Sequence, residues 1–245
     1  MNAIGLGLGL SYYTRVPPFA LTSLQDKLLL LDARTIAGSN GDPLATISDA
    51  SGNGYDFTQA TGAAKPTLST SWAGSRAIAF SGSQFASCTN PVLGGITQFS
   101  IAWVGQFSSV VGIRVPFYFG SNAAPTGFDF NSNRNSTGKF GVFVRGAAAV
   151  DSSTTSDTDP HLVIITYDAT VTPRWTMTID GVAQTLSNNN TEPFNPSVQA
   201  VIGATDTVPN FGFAGSMGLL LVCSGVWPAS VISSITANVN RSWTL

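Results

Sequence analysis

The chain has 245 residues, of which 43% are hydrophobic and 10% charged, with a formal net charge of −2. The length fits one all-β sandwich domain with a sizeable core. Eleven scattered Lys and Arg against thirteen acids form no basic patch, so there is no electrostatic case for nucleic acid or an anionic membrane. The charge content lies well below the ~25% of an average soluble domain. A surface of Ser, Thr, Asn and Gly, or burial against other subunits, accounts for the deficit.

Residues 1–23 differ in pattern from the rest of the chain. Ile4-Gly5-Leu6-Gly7-Leu8-Gly9-Leu10 alternates large apolar residues with glycine, a period of two. A lone strand of this kind is not stable. It must pair with its own domain as an edge strand, with a sister subunit, or with another protein. Pro17-Pro18 blocks helix and ladder alike and serves as a stiff connector. The expectation is an N-terminal arm over 1–23, with Ile4, Leu6, Leu8, Leu10, Tyr12 and Tyr13 as docking residues, followed by a domain over 24–245. The first ten residues carry no positive charge and are interrupted by glycine, so they do not qualify as a secretory signal. No apolar run reaches the length of a membrane-spanning helix.

Short strands separated by turn clusters come next, the pattern of a sandwich. They are expected at Leu28–Asp32, Phe57–Gln59, Ala77–Phe80 and Phe85–Ser87. Residues 99–107 alternate so that Phe99, Ile101, Trp103 and Phe107 share a face. Further strands are expected at Val115–Gly120, Phe128–Asn131 and Lys139–Arg145, with a hairpin turn near Gly138. Residues 160–168 and 174–184 form a strand pair in which Asp180-Gly181 supplies the positive φ of a tight turn. Val198–Gly203 and Gly212–Cys223 close the sandwich. A helix is expected from Pro228 as its first residue, with Val231, Ile232, Ile235 and Val239 at helical spacing.

Three segments together carry a family resemblance. An apolar strand ends in Asp32-Ala33, a loop leads to Asp49-Ala50-Ser51-Gly52-Asn53-Gly54, and Phe80-Ser81-Gly82-Ser83 closes the block. His161 to Asp168 followed by a strand ending in Asp180-Gly181 is the second, and Gly212–Cys223 the third. This order resembles laminin-G-like, concanavalin-A-type domains over residues 24–243. The resemblance implies an all-β concanavalin-A-like (laminin-G-like) jelly-roll β-sandwich with a short C-terminal helix and an extended N-terminal arm. Domains of this kind occur in tailed-bacteriophage virion proteins and in cell-surface lectins.

Catalytic chemistry finds little support, and no catalytic residue is expected. A retaining glycosidase needs two carboxyl groups about 5–5.5 Å apart. Glucanases of this fold carry them on one strand as Glu-x-Asp-x-x-Glu, whereas Glu192 is the only glutamate here. His161 is the only histidine, and no nucleophile-elbow motif accompanies it. No metal ligands or cofactor are expected. The resemblance leaves a Ca²⁺ open, with Asp42, Asp49 and Asp129 as donors, while turn capping accounts for the same residues. Cys88 and Cys223 read as free buried thiols, with a disulfide between them as the alternative. Trp72, Tyr55, Phe128 and Phe211 are candidates for stacking on sugars, each equally explained as core packing.

The resulting expectation is a non-enzymatic virion structural protein, assembled in the host cytoplasm and displayed on the particle surface as a decoration, cement or tail-associated subunit. It would dock through its arm on copies of itself and other virion proteins, with no nucleic-acid or membrane partner. The alternative is a glycan-binding adhesion module for host-surface attachment.

Overall fold

The computed structural model describes residues 21, 24–120, 127–134, 136–147, 149–187, 199–205 and 211–245. The first eight strands are β1 (Lys27–Asp32), β2 (Thr46–Ile47), β3 (Phe57–Thr58), β4 (Thr67–Trp72), β5 (Ser75–Ser81), β6 (Ala86–Cys88), β7 (Gln98–Phe107) and β8 (Arg114–Gly120). Then come β9 (Gly127–Ser132), β10 (Lys139–Val144), β11 (Val150–Thr155), β12 (His161–Asp168), β13 (Trp175–Ile179), β14 (Val182–Ala183), β15 (Ala200–Ile202) and β16 (Ala214–Ser224). Helix α1 (Ala229–Ser242) ends the series. The expected arm lies outside the described residues.

The strands form two antiparallel sheets. Sheet A runs β14-β13-β12-β7-β16-β5-β4, with β1 also paired to β16. Sheet B runs β11-β10-β9-β8-β15-β6-β3-β2. The expected all-β, jelly-roll-type sandwich with a C-terminal helix is what the molecule adopts. Asp180 and Gly181 both take positive φ, +51° and +83°, and close the β13–β14 hairpin as the Asp-Gly pair requires.

Alternation decides what lies between the sheets. Phe99, Ile101, Trp103 and Phe107 of β7 all point inward, and Phe117, Phe119, Phe128, Phe130 and Phe140 meet them from sheet B. The rings interlock, with the Trp103 and Phe130 centroids 5.3 Å apart and Tyr167 and Trp175 at 4.6 Å. Gly105 faces the same interior. A Cβ there would lie 2.1 Å from the Trp103 ring and 2.7 Å from the Ser216 carbonyl oxygen, so only glycine lets the indole fold back over its own strand.

A second core lies on the outer face of sheet A. Ile235, Val239 and Trp243 from the helix end of the chain pack on Ala102, Val104, Leu162, Leu219 and Leu221. Leu21 and Leu24 are buried in the same layer. Gly218 sits in the β16 bulge between Met217 and Leu219. A Cβ there would meet Trp243 Nε1 at 2.7 Å and Trp72 at 2.8 Å, so the glycine admits both indoles against the sheet. Pro228 is the N-cap and α1 starts at Ala229, one residue later than the N1-proline expectation.

Three strands have no counterpart among the elements expected from sequence: β2, β4 and β11. Thr67-Leu68-Ser69-Thr70-Ser71-Trp72 and Val150-Asp151-Ser152-Ser153-Thr154-Thr155 are mostly hydroxyl residues without an alternating bulky face. They extend because a neighbour supplies the ladder, β5 for one and β10 for the other.

Candidate functional site

The aromatic residues singled out as sugar-stacking candidates separate sharply. Phe128 is fully buried between the sheets and touches Phe99, Phe119 and Trp175. Trp72 lies under the helix layer, where its Nε1 donates to Gln106 Oε1 at 2.6 Å. Neither offers a ring face to solvent, which corrects the expectation for both. Tyr55 is half-buried against the inner core. Phe211 is 41% exposed. The arm residues Ile4, Leu6, Leu8, Leu10, Tyr12 and Tyr13 lie outside the described residues, as does Glu192.

The aspartates considered for Ca²⁺ are engaged separately. Asp49 accepts the Leu30, Ser51 and Tyr55 backbone N–H groups, and Asp42 accepts that of Ser39. These are turn and loop anchors. Asp129 is tied to Asn131 and Arg134 instead. Among the described residues no three His, Cys, Asp or Glu side chains converge on a point. Cys88 and Cys223 are both buried and free. Burial raises the Cys88 thiol and pushes Cys223 up to about 12, so both stay protonated at neutral pH.

His161 is a clamp between two carboxylates. Its Nδ1 lies 2.6 Å from Asp180 Oδ2 and its Nε2 2.9 Å from Asp157 Oδ1. Burial alone would lower its pKa, but the two carboxylates reverse this and carry it to about 9. A histidine that is already an imidazolium at neutral pH cannot serve as a general base. Asp180 Oδ1 also accepts the Leu162 N–H, so the clamp ties the start of β12 to the β13–β14 turn.

The remaining polar cluster lies on the outer face of sheet B. Because Phe128, Phe130, Phe140, Val142 and Val144 face inward, Asp129 and Asn131 of β9 and Gly141 and Phe143 of β10 face out. Register aligns them into two rungs: Tyr118–Asp129–Phe143 across β8, β9 and β10, and Asn131–Gly141–Asp151 across β9, β10 and β11. Gly141 leaves room for the Asp151 carboxylate, whose Oδ1 would lie 2.8 Å from a Cβ placed there.

Asp129 is fully buried and accepts from Asn131 Nδ2 at 2.6 Å and from Arg134 Nη2 at 2.5 Å. Burial pushes this carboxyl above its ordinary value, while Arg134, Arg145 and the Asn131 amide pull against that shift. The Arg134 guanidinium is held between two rings, 4.0 Å from the Phe143 centroid and 5.1 Å from that of Phe211. Phe211 adopts φ +55°, a left-handed conformation that costs a bulky residue about 1–2 kcal/mol. Its carbonyl accepts the Val115 N–H, which helps to hold it there. The arrangement therefore offers one exposed ring, backed by a largely buried guanidinium that a fully buried carboxylate holds in place. The exposed ring can stack on the apolar face of a sugar ring.

Of these residues only Phe211 is marked for sugar contact by the sequence, and Asp129 only as a possible Ca²⁺ donor. The Phe-Asp-Phe-Asn run of 128–131 holds the signal for the others, since alternation that buries both phenylalanines must turn Asp129 and Asn131 outward.

No protein-family model matches the sequence, and no curated protein matches it. Solved structures do match in fold. Domain 4 of AbnA, a GH43 extracellular arabinanase from Geobacillus stearothermophilus, in complex with arabinotriose, aligns with a TM-score of 0.61 at 14% identity, covering 82% of this chain and 99% of that one. Trypanosoma rangeli sialidase in complex with sialic acid aligns with a TM-score of 0.64 at 11% identity, covering 91% of this chain and 35% of that one. This chain thus spans about a third of the length of the sialidase. At such identities the likeness establishes the fold, an antiparallel β-sandwich shared with domains of carbohydrate-active proteins.

Proposed function

We propose that the protein is a carbohydrate-binding module that acts without catalysis, holding a saccharide on the outer face of β8–β10. The observation that carries this reading is the Phe211–Arg134–Phe143 stack above the buried Asp129 carboxylate. It sits on sheet B, opposite the sheet face that α1 covers. Asp129, paired to Arg134 and fully buried, is out of reach of a glycosidic oxygen, which supports binding without hydrolysis. The likeness to the arabinanase domain with bound arabinotriose agrees with this reading.

A glycan panel followed by calorimetry tests it. Wild-type protein is expected to bind at least one oligosaccharide and to release no new reducing ends from it. Phe211→Ala is expected to weaken that binding by about tenfold or more, the worth of one aromatic platform. Its fold stability should fall by no more than about 1–2 kcal/mol, because the ring is partly exposed but packs on Arg134. A flat panel, or binding indifferent to Phe211→Ala, overturns the assignment.

The Gly-Leu alternation of Ile4–Leu10 favours a second reading compatible with the first. In it the protein is a virion surface subunit, docked through residues 1–23 on copies of itself or on another virion protein, with host-surface glycan as its ligand. Deleting residues 1–16 is then expected to leave a folded domain whose mass by light scattering falls to that of one chain. Full-length protein that is monomeric and fails to dock on particles contradicts this reading.

A further inference from the structure

A buried Nε without a hydrogen bond is shared by Arg114, Arg134, Arg145 and Arg174, and Arg145 is set apart by the rings around it. Arg34 pairs with Asp32, Arg134 with Asp129, Arg76 donates to the Ile36 and Gly38 carbonyls, and Arg241 donates to the Ala237 carbonyl. The half-buried guanidinium of Arg145 has no such acceptor among the described residues, and its Nε is buried without a hydrogen bond. It lies over ring faces instead, 5.4 Å from the Tyr118 centroid and 5.6 Å from that of Phe143. Asp129 is near enough to be influenced by its charge, but its hydrogen bonds run to Asn131 and Arg134 and not to Arg145.

Those contacts shape a receptor for an anion. Two rings flank the guanidinium, and its planar fork matches an acid group held edge-on. Phe143 is shared between Arg145 and Arg134, so the unsatisfied cation adjoins the sugar platform directly. The cation is partly withdrawn from water, which strengthens an ion pair made there relative to one at an exposed arginine.

We infer that Arg145 receives an acid group carried by the saccharide, so that the ligand is an anionic sugar, carboxylated or sulfated, rather than a neutral one. This inference rests on the carbohydrate-binding reading and narrows it. The acid would lie over the Tyr118–Phe143 side of the site while the adjoining ring stacks toward Phe211.

The test is a matched panel of neutral, uronate-containing, sialylated and sulfated oligosaccharides. It is run on the full chain at low salt and again at physiological salt, with Arg145→Gln and Arg145→Lys beside wild type. Wild type is expected to prefer acidic over matched neutral sugars by about tenfold or more. Arg145→Gln should abolish that preference by bringing affinity for acidic sugars down to that for the matched neutral ones, and Arg145→Lys should restore part of it. Hits confined to carboxylated sugars assign the fork to a carboxylate, and hits confined to sulfated ones to a sulfate, each in support. Equal affinity for neutral and acidic sugars, or a preference that survives Arg145→Gln, overturns the inference and leaves the module reading standing. Binding to no saccharide at all overturns both. Thermal unfolding of each variant separates a lost subsite from a lost fold.

Discussion

Gly105→Ala is expected to destabilise the domain by more than about 3 kcal/mol, lowering its urea midpoint by a third or more. Inserting a methylene into a packed core ordinarily costs about 1–3 kcal/mol because neighbours can shift. Here they cannot do so independently. The added carbon would sit 2.1 Å and 2.5 Å from two atoms of the Trp103 ring and 2.7 Å from the Ser216 carbonyl oxygen. Moving Ser216 breaks the pairing of β16 with β7 and β5. Moving Trp103 disturbs Phe107, Phe130 and Phe213, all packed on its ring. Against a total stability of about 5–15 kcal/mol such a loss is large. The check is a double-mutant cycle with Trp103→Leu. Trp103→Leu alone should be destabilising through the cavity it leaves. Combined with Gly105→Ala, the sum should fall short of the separate losses, because the smaller side chain vacates the space the methyl needs. Strict additivity would show that the two positions do not compete for the same volume.

Stability is also expected to fall as the pH rises from about 6.5 to 9, in the window set by His161. Its folded pKa of about 9 lies above the ordinary value of 6.5, so the folded protein holds the proton more tightly than the unfolded chain. The contribution is therefore complete below 6.5 and is lost as the pH passes through 9. A shift of that size would correspond to roughly 3 kcal/mol at ~1.4 kcal/mol per unit. Asp157 and Asp180 are, however, 48% and 42% exposed, and solvent screening reduces the expected loss to about 1–2 kcal/mol. Denaturant unfolding at pH 6 and 9.5 measures it. His161→Gln should flatten the profile and lower stability at pH 6. Asp180→Asn should cost more than Asp157→Asn, since Asp180 also accepts the Leu162 N–H and shapes the hairpin turn. A profile in the wild type that is level or rising across this range would remove the clamp from the stability balance.

The elements legible in the sequence are those rich in large apolar residues, buried on both faces. Residues 99–107 announce themselves because the largest side chains mark each inward step, residues 161–168 by the apolar run Leu162–Ile165, and Asp180-Gly181 marks its turn by a pair that suits positive φ. Thr67–Trp72 and Val150–Thr155 stay hidden because they take their extended form from the strands beside them. The site is less legible still. Asp129, Arg145 and Phe211 are far apart in the chain, and what unites them is the register of β8, β9 and β10 with a left-handed residue at Phe211. Aromatic type alone cannot separate Phe128 from Phe211, since burial depends on parity within the strand. The neighbours Phe130 and Asp129 carry that parity, and weighing Phe128 with them turns it inward.

The two outer faces of the sandwich are unlike each other, and that gives the molecule a front and a back. Leu21 enters the layer beneath α1, and Trp243 and the Thr244 backbone N–H, which donates to Ala73, hold the far end of the chain on that same side. Leu21 and Trp243 thus both lie at the back. The platform of Phe211, Arg134 and Arg145 belongs to the front. The same sandwich therefore meets solvent with a helix-covered face on one side and bare strands on the other.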